Sequence, residues 1–166
     1  SLEMDKLKIL VTGGCWFIGS RIVSLLVQEN YTVHIVDNLS SGKIENVNEN
    51  TVNIHVMDIR DPKLEDLFNK EKFDVIIHQA AQTSVPYSIN NIYYDADVNI
   101  NGSVHIIDLA KKYKVNKIIF ASTAAVYGEP KTLPLKEESE TIPLTPYGLS
   151  KLTVEKYLEM SWNLYG

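Results

Sequence analysis

The stretch spanning residues 8–20, KILVTGGCWFIGS, constrains the fold of this chain more than any other. A short apolar run meets Thr12-Gly13-Gly14, and the pattern after it predicts a helix with Ile18, Ile22, Leu25 and Leu26 on one face. Glycines let a backbone turn tightly without Cβ clashes, and the first N–H groups of a helix have no partner inside it. The stretch therefore predicts a strand, a tight turn and a helix N-terminus open to a phosphate, with a plain structural turn as the alternative.

A second apolar run, over residues 32–36, ends in Asp37, which lies 18 residues after Gly19. Dinucleotide-binding βαβ units place a carboxylate at about this distance, where it binds the adenosine ribose hydroxyls. An acid at this position favours NAD, because it would repel the additional phosphate of NADP. The turn and Asp37 together predict dinucleotide binding.

Composition limits the domain count and the class of partner. With 166 residues, 45% of them hydrophobic, the chain is long enough for one domain with a substantial core. A net charge of −5 without a basic run argues against a nucleic acid or a membrane as partner. The single cysteine, Cys15, and the lack of a membrane-length or signal-peptide pattern predict a cytoplasmic protein. Residues 1–3, ahead of Met4, are interpreted as a cloning remnant, which leaves 4–166 as the predicted dinucleotide-binding domain.

Five apolar runs of strand length alternate with helical patterns or loops. Strands that are apolar on both faces and alternate with helices predict a doubly wound α/β fold of the Rossmann type, with a parallel sheet covered on both sides. Such sheets bind ligands at the carboxyl ends of their strands, where this chain carries Asp58, Gln79–Ser84 and Ser122-Thr123. Asp58 is predicted to hydrogen-bond adenine, with a solvated turn acid as the alternative. The five predicted strands are residues 8–11, 32–36, 52–56, 75–78 and 117–121.

The pattern also predicts three helices after the second strand, over residues 63–69, 92–113 and 147–164. Residues 129–146 contain four prolines and several acids, which predicts an irregular loop and a candidate lid. None of the four histidines has a partner at metal-ligand spacing, so no metal site is predicted.

Tyr147 and Lys151 lie four residues apart at the start of the last predicted helix, so their side chains share one face. A tyrosine titrates near pKa 10 in peptides, and a base useful at neutral pH needs that value lowered by roughly 3 units, about 4 kcal/mol. A neighbouring ammonium acts in that direction. The chain holds three Tyr-x-x-x-Lys matches, but only this one opens an amphipathic helix, 24 residues after Thr123 at a strand end.

Several motifs together resemble the extended branch of the short-chain dehydrogenase/reductase superfamily, within it the NAD-dependent nucleotide-sugar epimerases and dehydratases. The motifs are TGG-x-x-FIGS, the acid at Asp37, DIRD, Ser-Thr followed by AAVYG, and PYGLSK. The resemblance implies C4 oxidation of a UDP-hexose, rotation of the 4-keto sugar and re-reduction on its other face, with NAD regenerated. It also implies a homodimer built from the 92–113 and 147–164 helices.

The resemblance assigns roles residue by residue. Tyr147 would be the general base and acid on the sugar C4 hydroxyl, Lys151 would hold the nicotinamide ribose and make the phenol more acidic, and Thr123 would bridge the sugar oxygen and the phenol. The positions that match cofactor contacts are Gly13, Phe17, Ile18, Gly19, Asp37, Asn38, Asp58, Ile59, Ala80, Ala81 and Asn99, in addition to Tyr147 and Lys151.

Three departures from the family pattern affect the interpretation. Ala124-Ala125 replace the Asp-Glu pair of the 4,6-dehydratases, which disfavours that reaction. Trp16 replaces a glycine whose missing side chain lets the backbone approach the pyrophosphate, which predicts weakened NAD binding and leaves a catalytically silent module as the alternative function. The chain stops at Gly166, where relatives continue into a substrate-binding portion, so a fragment with little activity alone is expected.

Overall fold

A computed structural model describes residues 6–120 and 145–165, without the side chain of Tyr165. The strands are β1 (Lys8–Thr12), β2 (Thr32–Asp37), β3 (Asn53–Val56), β4 (Val75–His78) and β5 (Lys117–Phe120). The α-helices in the same ranges are α1 (Phe17–Gln28), α2 (Leu64–Glu71), α3 (Val85–Asn90), α4 (Ile92–Ala96), α5 (Gly102–Lys112) and α6 (Pro146–Tyr165). A π-helical turn covers Asp97–Asn101, and short 3-10 turns cover Ile44–Asn46 and Glu49–Thr51.

The five strands form one parallel sheet in the order β3-β2-β1-β4-β5. The chain moves outward from β1 through β2 to β3, then crosses to the other side of β1 for β4 and β5. This reversal places a topological switch point between the carboxyl ends of β1 and β4, where such sheets bind ligands. The predicted doubly wound α/β fold is confirmed.

Strand β1 lies at the centre of the sheet and is the most deeply buried. Leu10 and Val11 are fully buried, and Val11 pairs with Ile35 on β2 and Ile77 on β4. A strand covered on both faces needs apolar residues at consecutive positions, which is why β1 and β2 read as unbroken apolar runs rather than alternating ones.

The chain divides into two compact units. The first comprises Ser1–Ala80 and Asp108–Phe120, and it contains the whole sheet with α1 and α2. The second comprises Ala81–Ile107 and Ala121–Gly166, of which the described part contains α3, α4, the π turn and α6. In the second unit, α6 packs against α3, α4 and the π turn, with Val154 fully buried.

Residues 92–112 are helical, as predicted for 92–113, with two features that the prediction lacked. The helical segment is interrupted by the π turn, which coincides with the buried side chain of Asn99. A further helix, α3, precedes it: the Ser84 hydroxyl caps its N-terminus by accepting from the Tyr87 N–H at 3.1 Å, and a proline occupies its first turn. Both are recognised helix-start signals, so α3 was visible in the sequence.

The predicted face of α1 is correct for Ile22 and Leu26, which pack against the core, and wrong for Ile18 and Leu25, which are exposed. Gly19 and Val23 are the buried residues of this helix. The physical reason is the close contact of Gly19 with the turn: a Cβ at this position would lie 2.2 Å from the Gly13 carbonyl oxygen. That contact turns the Gly19 side of the helix inward and Ile18 outward.

Candidate cofactor site and candidate catalytic pair

The turn between β1 and α1 accepts glycine alone at two positions. Gly13 has a φ of +71°, and a Cβ there would lie 2.8 Å from the Ala80 nitrogen. Its own N–H donates to the Val36 carbonyl at 2.7 Å. Gly19 cannot be replaced by a larger residue, because a Cβ there would lie 2.2 Å from the Gly13 carbonyl oxygen. The tight turn therefore requires glycine at both positions, because neither has room for a Cβ. We call Gly13 and Gly19 the glycine cradle.

The N-terminus of α1 opens immediately after this turn. The first helical hydrogen bond runs from the Ser20 N–H to the Trp16 carbonyl at 2.7 Å, so the N–H groups of Phe17, Ile18 and Gly19 have no partner within the helix. The side chains of Phe17 and Ile18 are 61% and 48% exposed. Backbone donors and positive helix-end potential thus coincide at the place predicted for a pyrophosphate.

Trp16 occupies the N-cap position of α1 with φ −85° and ψ 170°, which any residue adopts without strain. Its N–H donates to the Gly13 carbonyl at 3.2 Å and is therefore used inside the turn. Its side chain is half-buried. The backbone of the turn thus accommodates a tryptophan without strain. Any effect of Trp16 on cofactor binding would come from its side chain obstructing the ligand.

Asp37, at the carboxyl end of β2, is buried and braces the turn. One carboxylate oxygen accepts from the Cys15 N–H at 2.9 Å, and the other accepts from the Leu39 N–H at 2.7 Å. Each oxygen keeps a second lone pair for a ribose hydroxyl. The Cys15 carbonyl in turn accepts from the Lys43 N–H at 3.0 Å and from Asn46 Nδ2 at 2.9 Å. Sequence reasoning missed this link between the turn and the segment after β2.

Cys15 itself is chemically quiet. Burial, reinforced by the nearby charges of Asp37 and Glu49, raises the pKa of its thiol to about 11. The thiol is therefore protonated at neutral pH and is a packing residue rather than a nucleophile.

Asn38 and Asp58, predicted separately, come together because β2 and β3 are neighbours. Asn38 Nδ2 donates to Asp58 Oδ2 at 3.2 Å, and the Arg60 guanidinium makes two bonds of 2.8 Å to the same carboxylate. These donors, led by Arg60, hold the pKa of Asp58 at about 2. The Arg60 backbone N–H also donates to Asp58 Oδ1 at 2.8 Å, so each carboxylate oxygen already accepts two bonds, and the predicted contact of Asp58 with adenine stays a prediction. The neighbouring Ile59 is buried.

At the switch point, the hydroxyl of Thr12 fastens β1 to β4. It lies 2.7 Å from His78 Nδ1 and accepts from the N–H groups of Gln79 and Ala80 at 3.0 Å each. The Ala80 N–H is therefore used by the protein, so any cofactor contact of Ala80 would be made by its side chain or carbonyl. The neighbouring Ala81 is half-buried. Thr12 was not among the predicted site residues.

The second unit contains Tyr147 and Lys151, both buried in the first turns of α6. Lys151 Nζ lies 5.8 Å from the centre of the Tyr147 ring. The Tyr147 N–H donates to the hydroxyl of Ser88 on α3 at 3.2 Å, and the Gly148 N–H donates to Thr145 Oγ1 at 3.1 Å. Contacts from outside the helix thus fix the start of α6 and the direction of the pair.

Burial lowers the pKa of Lys151 to about 8, while the charges of Asp95 and Glu155 oppose that shift. A buried ammonium near a phenol favours the phenolate, which is the ionisation that a tyrosine base requires. The pair is therefore electrostatically suited to proton transfer.

The side-chain amide of Asn99, which is predicted to contact the cofactor, is hydrogen-bonded to Gln82 and Asp95. Its Nδ2 donates to the Gln82 carbonyl and to Asp95 Oδ2 at 3.0 Å each, and its Oδ1 accepts from the Gln82 N–H at 2.8 Å. These bonds use both donors of the amide and one lone pair of its oxygen. A cofactor contact by Asn99 stays a prediction that must use the remaining lone pair.

Thr123, Ser122, Ala124 and Ala125 lie outside the described residues, as does most of the predicted 129–146 lid. Their predicted roles are not addressed by the geometry above.

Two of the histidines do meet, contrary to the expectation from spacing. The register of β2 and β3 brings His34 Nδ1 within 3.0 Å of His55 Nε2, and His34 Nε2 lies 3.5 Å from Glu71 Oε1. Burial lowers the pKa of both imidazoles.

Within residues 6–120 and 145–165, no cluster of three or more His, Cys, Asp or Glu side chains is arranged to hold a metal ion. Across those same ranges, no helix combines the length and the apolar character needed to cross a membrane.

Comparison with known proteins agrees with this geometry. The family model described as NAD dependent epimerase/dehydratase matches residues 9–166. A Methanocaldococcus jannaschii protein, described provisionally as a UDP-glucose 4-epimerase, is 46% identical over 159 residues, covering 95% of this chain and 52% of its own length.

Two solved structures are similar over nearly the whole chain. A UDP-glucose 4-epimerase from Thermotoga maritima with UDP-glucose has a TM-score of 0.90 at 40% identity, covering 96% of this chain and 52% of that one. A UDP-N-acetylglucosamine 4-epimerase from Methanobrevibacter ruminantium, in complex with UDP-N-acetylmuramic acid, has a TM-score of 0.90 at 38% identity, covering 98% and 53%. The chain spans about half the length of the relatives it matches. With its matched residues, sheet order and glycine turn taken together, the chain belongs to the NAD dependent epimerase/dehydratase family.

Proposed function

We propose that the chain supplies the NAD-binding and proton-transferring half of a nucleotide-sugar 4-epimerase that interconverts UDP-glucose and UDP-galactose. The observation that carries the proposal is the buried Tyr147 and Lys151 pair at the start of α6, with the ammonium nitrogen 5.8 Å from the phenol ring. The names of the relatives support a UDP-sugar, and one structural neighbour is named for UDP-N-acetylglucosamine. The choice between the two sugars is therefore part of the test.

The residues of the first unit fit NAD at three points. The cradle at Gly13 and Gly19 has no room for a Cβ, the first-turn N–H groups of α1 have no helical partner, and Asp37 keeps lone pairs for ribose hydroxyls. Phe17, Ile18, Asn38, Asp58, Ile59, Ala80, Ala81 and Asn99 complete the proposed set of cofactor contacts. NAD, when bound, supplies a reversible hydride acceptor for the sugar C4.

In the proposed mechanism, Tyr147 removes the proton of the C4 hydroxyl and later returns it. The Lys151 ammonium stabilises the phenolate by Coulomb attraction and holds the nicotinamide ribose. Thr123 donates to the sugar oxygen and orients the phenol. A buried pair excludes bulk water, which strengthens each of these interactions.

The test uses the complete protein that contains this chain, incubated with UDP-glucose, UDP-N-acetylglucosamine and dTDP-glucose. We expect C4 epimerisation of UDP-glucose, and a loss of about 10²- to 10⁴-fold in kcat for Tyr147→Phe. Tyr157→Phe, a change of the same kind at an exposed position of α6, is the control and should retain activity. A 4-keto-6-deoxy product, or full activity in Tyr147→Phe, would contradict the proposal.

A catalytically silent NAD-binding module is the second candidate, and Trp16 is the observation that favours it. Trp16 is the N-cap residue of α1, at the helix N-terminus that would receive the pyrophosphate, and its N–H donates to the Gly13 carbonyl. If the indole displaces one hydrogen bond to a charged phosphate, worth about 1.5–3 kcal/mol, Trp16→Gly should lower the Kd for NAD at least tenfold. Calorimetric titration measures this change, with Trp162→Ala on α6 as the control. An unchanged Kd would rule out this effect of Trp16.

We also infer that the protein acts in the cytoplasm as a homodimer, with residues 4–166 as its NAD-binding domain. The single buried thiol suits a reducing compartment.

A further inference from the structure

Asp95 on α4 is a fully buried carboxylate that receives three side-chain hydrogen bonds. Ser150 Oγ donates to Oδ1 at 2.6 Å, and Gln82 Nε2 and Asn99 Nδ2 donate to Oδ2 at 2.9 and 3.0 Å. A carboxylate that accepts only is suited to three donors, whereas an amide at this position would turn an N–H group toward one of them. All three bonds therefore use the Asp95 carboxylate as the acceptor.

The three donors come from separate segments of the second unit. Gln82 precedes α3, Asn99 lies in the π turn, and Ser150 lies in the first turns of α6. Ser150 is adjacent in sequence to Lys151 and three residues after Tyr147. The Asp95 carboxylate thus fixes the part of α6 that carries the candidate catalytic pair.

Asp95 also interacts electrostatically with Lys151, because its negative charge favours the ammonium form. Lys151 is 6% exposed, and its burial opposes its charge. Two carboxylates favour that charge: Asp95 from α4, with the larger effect, and Glu155 from α6 itself. The phenol of Tyr147 is the third titratable neighbour. Of the two acids, Glu155 is half-buried and Asp95 is shielded from water altogether.

We propose that Asp95 is a positioning residue for the Tyr147 and Lys151 pair, which anchors α6 through Ser150 and keeps the buried Lys151 in its ammonium form at neutral pH. This inference rests on the proposed function for its catalytic meaning. Its electrostatic content stands independently, because the protonation of Lys151 is measurable without turnover.

The first measurement is the NMR titration of the Lys151 side chain in Asp95→Asn, with Lys151→Met used for assignment. We expect the midpoint to fall by at least one pH unit, a tenfold loss of proton affinity, because the buried carboxylate that favours the ammonium is gone. Glu159→Gln, which removes the same charge from an exposed site on α6, should leave the midpoint unchanged. A midpoint in Asp95→Asn equal to that of the wild type overturns the proposal.

Ser150→Ala keeps the carboxylate and removes only the anchor, so it provides a test if Asp95→Asn does not fold. We expect the amide protons at 147–151 to exchange with deuterium at least tenfold faster, with the Lys151 midpoint within half a unit of wild type. Unchanged exchange in Ser150→Ala overturns the anchoring role.

The complete protein gives the third readout. If Asp95 acts through the charge of Lys151, the kcat of Asp95→Asn should be at least about fivefold below wild type at pH 8, because lowering a pKa of about 8 by one unit reduces the charged fraction from about one half to about one tenth. The deficit should shrink at pH 6, where Lys151 is mostly protonated in both proteins. A deficit of equal size at both pH values indicates a merely structural role and overturns the proposal. If the wild type shows no epimerase activity while the NMR midpoint still shifts, the proposed function fails and the inference on Asp95 and Lys151 stands.

Discussion

Lys151 is a charged residue that folding removes almost completely from water. In the folded chain, burial holds its pKa at about 8, whereas an unfolded lysine titrates near 10.4. Between these two values the unfolded state binds more protons than the folded state, so stability rises with pH across this window. Below pH 8 both states are protonated, and the full penalty of burying the ammonium is present.

This sign gives a prediction for Lys151→Met. The unfolding free energy of the wild type should gain about 3 kcal/mol relative to the variant between pH 7.5 and 10.5, because the wild type sheds a buried charge and methionine has none to shed. Urea unfolding at several pH values measures the difference. Lys156→Met, at an exposed site on the same helix, should run parallel to wild type. Parallel curves for Lys151→Met would mean that the pKa of Lys151 is the same in the folded and unfolded states, so that burial does not oppose its charge.

Among the helices and strands, the sequence predicted those features that depend on neighbouring residues in the chain. The strands β1, β2 and β4 were predicted to within one residue at each end, because their apolar runs are bounded by glycine, asparagine or aspartate. The face of α1 was predicted only in part, because the hydrophobic pattern gives Gly19 no weight, although the absence of its side chain is what lets the helix pack closely.

Contacts between residues that lie far apart in the sequence could not be predicted, for a different reason. Asp95 meets Ser150 across 55 residues, His34 meets His55 across 21, and Asn38 meets Asp58 across 20. Each pair depends on strand register or helix packing, which no local spacing encodes. The site residues themselves were named from motifs, but the network that holds them, including Asp95, Ser150 and Thr12, was not.

The glycine turn gives a prediction at this scale. Gly13→Ala should destabilise the first unit by at least 1–3 kcal/mol, because the new Cβ would meet the Ala80 backbone at 2.8 Å in a left-handed conformation that alanine resists. Ser24→Ala, at an exposed position of α1, introduces the same residue into the same strand-helix unit and should change stability by less than about 0.5 kcal/mol. Thermal unfolding measured by circular dichroism compares the two. Equal stabilities would show that the turn relaxes without loss.

At the scale of the whole molecule, exposed apolar side chains are unevenly distributed. Among the described residues, nine of the fifteen exposed large apolar side chains belong to the second unit, although it holds fewer described residues than the first. Tyr93 on α4 and Trp162 on α6 are 83% and 74% exposed. Such a concentration on one unit is typical of an interaction surface. We propose that a second copy of the chain covers that surface, as the family resemblance implies.

The homodimer follows as a prediction with a direct test. Sedimentation velocity should give a mass near twice the 18.8 kDa of one chain, because pairing would remove the Tyr93 and Trp162 side chains from water. Replacing both residues with glutamate should yield monomers, since burying two unpaired carboxylates opposes association. Leu25→Glu is the matched control: Leu25 is 63% exposed but lies on α1 in the first unit, so its replacement should leave the dimer intact. A wild-type chain that sediments as a monomer, or a dimer that survives the double replacement, would assign those side chains to some other contact of the protein.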